Sequence, residues 1–517
     1  MQVSSSTSVN AGLRRTRWVA AARLGWRVGT VLFWALPVAG AVPTIEYLYP
    51  AGGPQGANFP VVAGGDLKPW PVHVWTDDAG VVLKPGGTSG QFQAEIDGSA
   101  RPGPHLVRFY NAQGASTLRC FLVGQLSEQT LDPASGIGES RLVLDQLPIT
   151  LNGRLRQRGA TGRFSVALAK LDSAVNLRAQ VDAYSLDSPL DLMLTLYNAA
   201  GTPLTVVHEA QRLDPRLSWP INKPGTYVLQ VACDPKADAK FAGSDAGVYR
   251  LTVGTEPLPP PPPQGQTTNY VQEGVQRAYL VAQQVAFPST IRGTLGAPNH
   301  QDRYRLDAQG NDQFYIRVKA GSLGSPFKPI MTILDEGGNP LLRSSPAPDP
   351  ELTWVAPTAG TYILVLEDAD HNGGWDYAYE LELGLPVPHF AARIIDAPLR
   401  LTPGGRAELR VTTSRPGGYE APVSLLVTGL PPGVSFTPVP VPPSGGPVSV
   451  TLMAAGDAAP TNCPFKVFIL ALDPAAPQTV PARVLVEGRY AVAGGLATNQ
   501  TDQAWLTVLP KPASASP

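Results

Sequence analysis

The sequence predicts an all-β protein of tandem antiparallel β-sandwich domains, Ig-like and jelly-roll-like, behind an N-terminal signal helix. Three observations carry this. Gly (52) and Pro (54) make up near a fifth of the 517 residues, against an ordinary share of about 12%, and show no collagen-like triplet. That excess suits many short strands joined by turns. No long 3.6-period stretch follows the first forty residues. Most telling is an internal duplication, which fixes the order of the central strands.

The N-terminus reads as a Sec-type signal peptide over 1–41. Arg14, Arg15, Arg17, Arg23 and Arg27 precede an apolar run from Val28 to Val38, and Ala39-Gly40-Ala41 offers a small-residue cleavage site before Val42. The run is shorter than the ~20 residues that span a bilayer; an uncleaved N-terminal anchor is the alternative. No later segment is apolar enough to cross, so the sequence implies a soluble chain exported to the periplasm, the cell surface or the medium.

A chain of this length exceeds one hydrophobic core, and roughly three to five domains are expected. The duplication divides it. "LPITLNGRL" (147–155) matches "FPSTIRGTL" (287–295), and "SPLDLMLTLYNAAGTPL" (188–204) matches "SPFKPIMTILDEGGNPL" (325–341). "LDPRLSWPINKPGTYVLQV" (213–231) then matches "PDPELTWVAPTAGTYILVL" (348–366). Order is kept while loop lengths drift, as in two copies of one β-domain. Trp219 and Trp354 hold equivalent positions, which favours core packing over a ligand platform. In Thr361–Leu366 both faces are apolar, the pattern of a strand covered on both sides. The prolines of 257–266 form a semi-rigid spacer between copies, and 510–517 reads as a disordered tail.

The repeats, at 126–256 and 267–385, resemble bacterial pre-peptidase C-terminal (PPC) domains. The likeness rests on Pro-x-x-x-x-Gly-x-Leu, on the Arg163-Phe164 and Arg303-Tyr304 pairs, on Leu-x-Ser-Pro and on Gly-Thr-Tyr-x-Leu-x-Val. The family's acidic element survives only as Asp302, where the first copy has Gly162. Residues 42–125, opening with "YLYPAGGPQGANFPVVAGGDL", resemble an IPT/TIG Ig-like domain, with Pro50, Gly52, Gly53 and Gly56 read as a turn. Residues 386–509, with Gly-Leu-Pro-Pro-Gly before Asp-Ala-Ala-Pro, resemble the Ig-like domains of bacterial surface proteins. The whole arrangement is similar to large exported proteins of planctomycete-type bacteria.

Composition excludes some partners. Lys and Arg number 40 against 41 Asp and Glu, so no global field steers nucleic acid. Cys120, Cys233 and Cys463 are too few and too scattered for a disulfide framework or a zinc site and read as buried thiols. Gly87-Thr88-Ser89 lacks a protease nucleophile context, and His208-Glu209 lacks the second zincin histidine. The six histidines show no ligand spacing, and the sequence reads as non-enzymatic, with no organic cofactor.

One polar cluster remains. Asp368, Asp370 and Asn372, followed by Gly373, match the start of a D-x-[DN]-x-[DN]-G calcium loop, yet a hairpin turn needs the same residue types; both readings stand. The favoured function is an interaction or scaffolding protein binding a protein or a surface polysaccharide. A carbohydrate-binding array is the first alternative, with Trp375, Tyr377 and Tyr419 as its candidate platform. The other is an accessory partner of a secreted protease, suggested by the company PPC modules keep.

Overall fold

The computed structural model describes residues 40–131, 142–168, 173–208, 214–255, 270–272, 282–323, 325–374, 377–385, 390–415, 421–471, 478–487 and 497–511. The signal segment up to residue 39, the proline spacer 257–266 and the end of the tail lie outside them. The described residues are strands, turns and three-residue 3-10 segments, with no α-helix among them. Their sheets pair face to face into four sandwiches, each closed by its own apolar core.

The first sandwich sets Tyr47–Tyr49, Asn58–Gly64, Gln91–Ile96 and Val81–Pro85 against Gly52–Pro54, Arg119–Gly124, Gly103–Asn111 and His73–Thr76. Its core holds Val61, Phe92, Phe109 and Phe121. Pro50 divides the opening strand. Tyr47–Tyr49 pairs antiparallel in one sheet, and Gly52–Pro54 crosses to pair parallel with Arg119–Gly124 in the other. Proline supplies no N–H to a ladder, so a strand that switches sheets breaks there. Gly52 and Gly53, read above as turn residues, are therefore strand residues. A Cβ on Gly52 would lie 2.1 Å from the Leu122 carbonyl, and one on Gly53 2.2 Å from the Phe59 ring. Close approach, and not a positive φ, requires glycine here.

The fourth sandwich repeats the device. Ala391–Ile395 pairs antiparallel with Arg406–Ser414, and after Pro398 the strand Leu399–Leu401 runs parallel to Ala504–Val508. Alternation in Arg406–Ser414 is strict, with Leu409, Val411 and Thr413 buried and the intervening residues exposed or half-buried, so one sheet face is core and the other faces solvent.

The two central sandwiches share one strand order. In the second, Ser127–Thr130, Ile149–Arg154, Val248–Gly254, Val175–Asp182 and Arg216–Ile221 lie side by side. In the third, Tyr270–Gln272, Ser289–Thr294, Ala378–Gly384, Gln313–Lys319 and Glu351–Val355 take the same places. The facing sheets correspond in the same way, and the opening strand of each sheet pairs parallel while the rest are antiparallel. Equivalent residues meet equivalent partners. Gly153 pairs with Tyr249 and Gly293 with Tyr379; Leu177 pairs with Trp219 and Phe314 with Trp354. A Cβ on Gly153 would sit 2.2 Å from the Tyr249 ring, so this glycine makes room for the tyrosine across the ladder. Both tryptophans pack on their cores.

Candidate functional site

The Asp368 cluster forms one turn after the strand Gly360–Asp368. Asp368 is buried, and its carboxylate is occupied by the backbone: Oδ1 accepts from Lys328 N–H (2.9 Å), and Oδ2 from Asp370 and Asn372 N–H (3.0 Å each). Lys328 Nζ donates to Asp370 Oδ2 at 2.9 Å. Burial pushes the Asp368 carboxyl upward, and the three N–H donors oppose that rise. A Cβ on Gly373 would strike the Ala297 carbonyl at 2.1 Å, so the loop lies directly on the neighbouring turn. The turn reading accounts for each of these bonds. Among the described residues no group of three His, Cys, Asp or Glu is placed to hold a metal ion.

Of the three residues of the candidate sugar platform, Tyr377 alone falls among the described residues. Tyr377 is buried in the third core, its place before an inward-facing strand giving it a packing role; Trp375 and Tyr419 lie outside the described residues. Of the histidines, His105 is fully buried, with Nε2 against the Arg101 carbonyl at 2.6 Å and Nδ1 against Asp77 at 3.3 Å. His208 pairs with Asp234 at 2.7 Å, His73 is exposed, and His389 lies outside. None of the three cysteines is in a disulfide; burial pushes Cys233 up to about 12, with Asp191 adding to the rise.

Buried polar chemistry gathers elsewhere. In the third sandwich, Tyr379 Oη donates to Asp302 Oδ2 at 2.6 Å, and the Tyr304 and Tyr379 hydroxyls share a hydrogen bond; all three residues are almost wholly buried. The second sandwich has Gly162 and Phe164 at the matching positions, and a Cβ on Gly162 would lie 2.5 Å from Tyr249 Oη. The acid and the second hydroxyl are thus present together or absent together.

The other concentration lies where sandwiches meet. Arg108, on Gly103–Asn111, is 1% exposed. Its guanidinium donates to Asp396 of the fourth sandwich and to the Ser116 carbonyl, and lies 5.6 Å from the Trp505 ring centre. Asp396 Oδ2 accepts from Leu118 N–H at 3.0 Å. Burial lowers the affinity of Arg108 for its proton, and Asp396 opposes that; an arginine stays charged regardless. Around the pair, Trp75 meets Trp505 edge-on at 5.8 Å, and Leu106 and Leu118 pack on Val486. Nearby, His73, Tyr110, Asn111, Pro460 and Asn462 line an open cleft of about 230 Å³, bridged by Asn462 Nδ2 donating to the Asn111 carbonyl at 3.0 Å.

The first and second sandwiches are joined by similar chemistry. Arg119 pairs with Asp187 and donates twice to the Ile45 carbonyl. Arg250 donates to the Leu122 carbonyl at 2.6 Å, through the gap that Gly52 leaves, and to Glu128. Burial raises the Glu128 carboxyl, with Arg250 and Asn152 opposing. Tyr49 Oη donates to the Asn152 carbonyl at 3.1 Å. Motif spacing cannot reveal pairs spread so widely in sequence. The available signal is an arginine inside an apolar run, as in "HLVRFYN", "TLRCFLV" and "VYRLTV".

No family model matches the chain, and no curated protein matches it significantly. Among solved structures, the chain is similar to the pre-peptidase C-terminal domain of a collagenase from Bacillus anthracis, at 21% identity over 20% of this chain and 94% of that one, with a TM-score of 0.17. It is also similar to the N-terminal eight Ig domains of the Down syndrome cell adhesion molecule, isoform 1.30.30, at 10% identity over 84% of this chain and 71% of that one, TM-score 0.14. The fold assignment rests on the sheets themselves.

Proposed function

We propose that this chain is an exported, non-catalytic scaffold whose sandwiches are fixed to one another and present outward faces to a protein or a cell-surface polymer. In this reading 42–125 is an IPT/TIG-like module, 126–256 and 267–385 are two PPC-like copies, and 386–509 is an Ig-like module. The observation that supports it most is where the buried charges sit. Arg108 with Asp396 and Arg119 with Asp187 each bridge two sandwiches. Burying an ion pair is costly unless its geometry is well satisfied, and its best-attested use is to specify one arrangement. Charges placed so hold modules in register. A sandwich scaffold by itself hosts many functions, so the outer faces decide the partner.

Retention of the full chain on an isolated bacterial envelope fraction, compared with an unrelated β-sandwich protein, tests this. Specific retention is expected; absence of retention, or turnover of peptide, ester or glycoside substrates by the purified chain, counts against it.

A further inference from the structure

The solvent face of the fourth sandwich carries a concentration of arginine that packing does not require. Arg393 on Ala391–Ile395, Arg406 and Arg410 on Arg406–Ser414, and Arg483 on Arg483–Glu487 are all exposed and belong to one sheet. Arg393 stands directly across from Arg483 in the parallel ladder and across from Thr412 on its other side. Adjacent strands lie about 4.8 Å apart, and like charges placed directly opposite each other destabilise a sheet. Arg410 precedes Thr412 by two residues on the same face, a diagonal neighbour of Arg393. Among the described residues, none of these four side chains makes an ion pair or a side-chain hydrogen bond. Glu408 is the one carboxylate described on the exposed strand positions between them. In a chain of net charge −1, this is a local field.

We infer that this face binds an acidic polysaccharide, its sugar carboxylates held by the forks of Arg393, Arg410 and Arg483 with Arg406 extending the track. The inference rests on the scaffold reading and names its partner. Guanidinium forks match carboxylates in a bidentate way that lysine does not. Thr412, Ser414 and Ser449, exposed among the arginines, suit sugar hydroxyls. Nucleic acid fits less well. Single strands are held by aromatic stacking platforms, and the described residues of this face offer Ile395 and Met453 but no ring. Duplex grooves are read by inserted helices or ribbons, and this face is the broad side of a six-stranded sheet.

Binding of the full chain to polygalacturonate, with neutral dextran and single-stranded DNA as comparison probes, tests the inference. Polygalacturonate is expected to bind, to weaken as salt rises, and to outcompete DNA. The Arg393→Gln, Arg410→Gln, Arg483→Gln triple variant should lose at least tenfold in affinity while its melting temperature holds or rises. Unchanged binding by that variant overturns the proposal, as does stronger binding to DNA. Envelope retention that survives in the triple variant sinks this partner but leaves the scaffold standing; loss of retention by the unaltered chain sinks both.

Discussion

Arg108 and Asp396, 288 residues apart, share a charge-assisted hydrogen bond of 2.5 Å between the first sandwich and the last. Neither group is more than 5% exposed. Removing one partner strands the other as an uncompensated buried charge, which costs about 3–5 kcal/mol. Asp396→Ala should therefore destabilise the chain by that order in urea denaturation. Replacing both partners by Leu and Met should recover most of the loss. A neutral single variant would show the pair contributes nothing to docking.

Gly162 tests the difference between the repeats. A methyl group there would press on Tyr249 Oη at 2.5 Å and on the Phe164 ring at 3.1 Å. Gly162→Ala should cost about 1–3 kcal/mol by overpacking, read as a lower unfolding midpoint. In the third sandwich the opposite change, Asp302→Gly alone, should also destabilise, because it removes an acceptor from the buried Tyr379 hydroxyl.

The Asp368 turn gives a metal-independent expectation. Its carboxylate accepts three backbone N–H groups, so Asp368→Ala should cost about 1–3 kcal/mol. Calcium or chelator added to the unaltered chain should leave its melting temperature where it was. A calcium-dependent rise would favour the calcium-loop reading over the plain turn.

His105 links stability to pH. Burial alone would lower its pKa; Asp77, the Arg101 carbonyl and Asp78 outweigh that and raise it above the ordinary value. The folded chain thus holds this proton more tightly than the unfolded chain. The stabilisation is complete below about pH 6.5 and disappears as pH climbs through the higher folded value. Urea midpoints measured from pH 5.5 to 8.5 should fall more in the parent than in His105→Gln. Parallel profiles would remove His105 from the account.

The thiols should be slow. Burial holds Cys233 and Cys463 above the usual thiol range, so those two carry little thiolate at pH 8, and Cys120 is shielded by being buried. Iodoacetamide should label the native chain far more slowly than the urea-unfolded chain.

The repeat was legible because a sandwich strand is read by local alternation and by its turns. Trp219 and Trp354, or Gly153 and Gly293, could be matched before any coordinates and proved to hold matching places in the ladders. Gly52 and Gly53 were misplaced because glycine in sequence does not say whether it serves a positive φ or a close approach; here it admits Phe59 and Arg250. Tyr377 failed as a platform because exposure is decided by which face of the sandwich a loop meets. The module-joining charges were hidden for another reason. Arg108 and Asp396 belong to sandwiches with separate cores, and nothing local marks either as the other's partner.

That long separation has a temporal consequence. At about 5–20 residues per second of synthesis, the partner of Arg108 emerges roughly 15 to 60 s after it. During that interval Trp75, Leu106 and Leu118, which the last sandwich eventually covers, stand bare on a nascent chain. Vectorial emergence thus leaves a sticky flank awaiting its lid, and a holdase with a taste for apolar surface would find its client there.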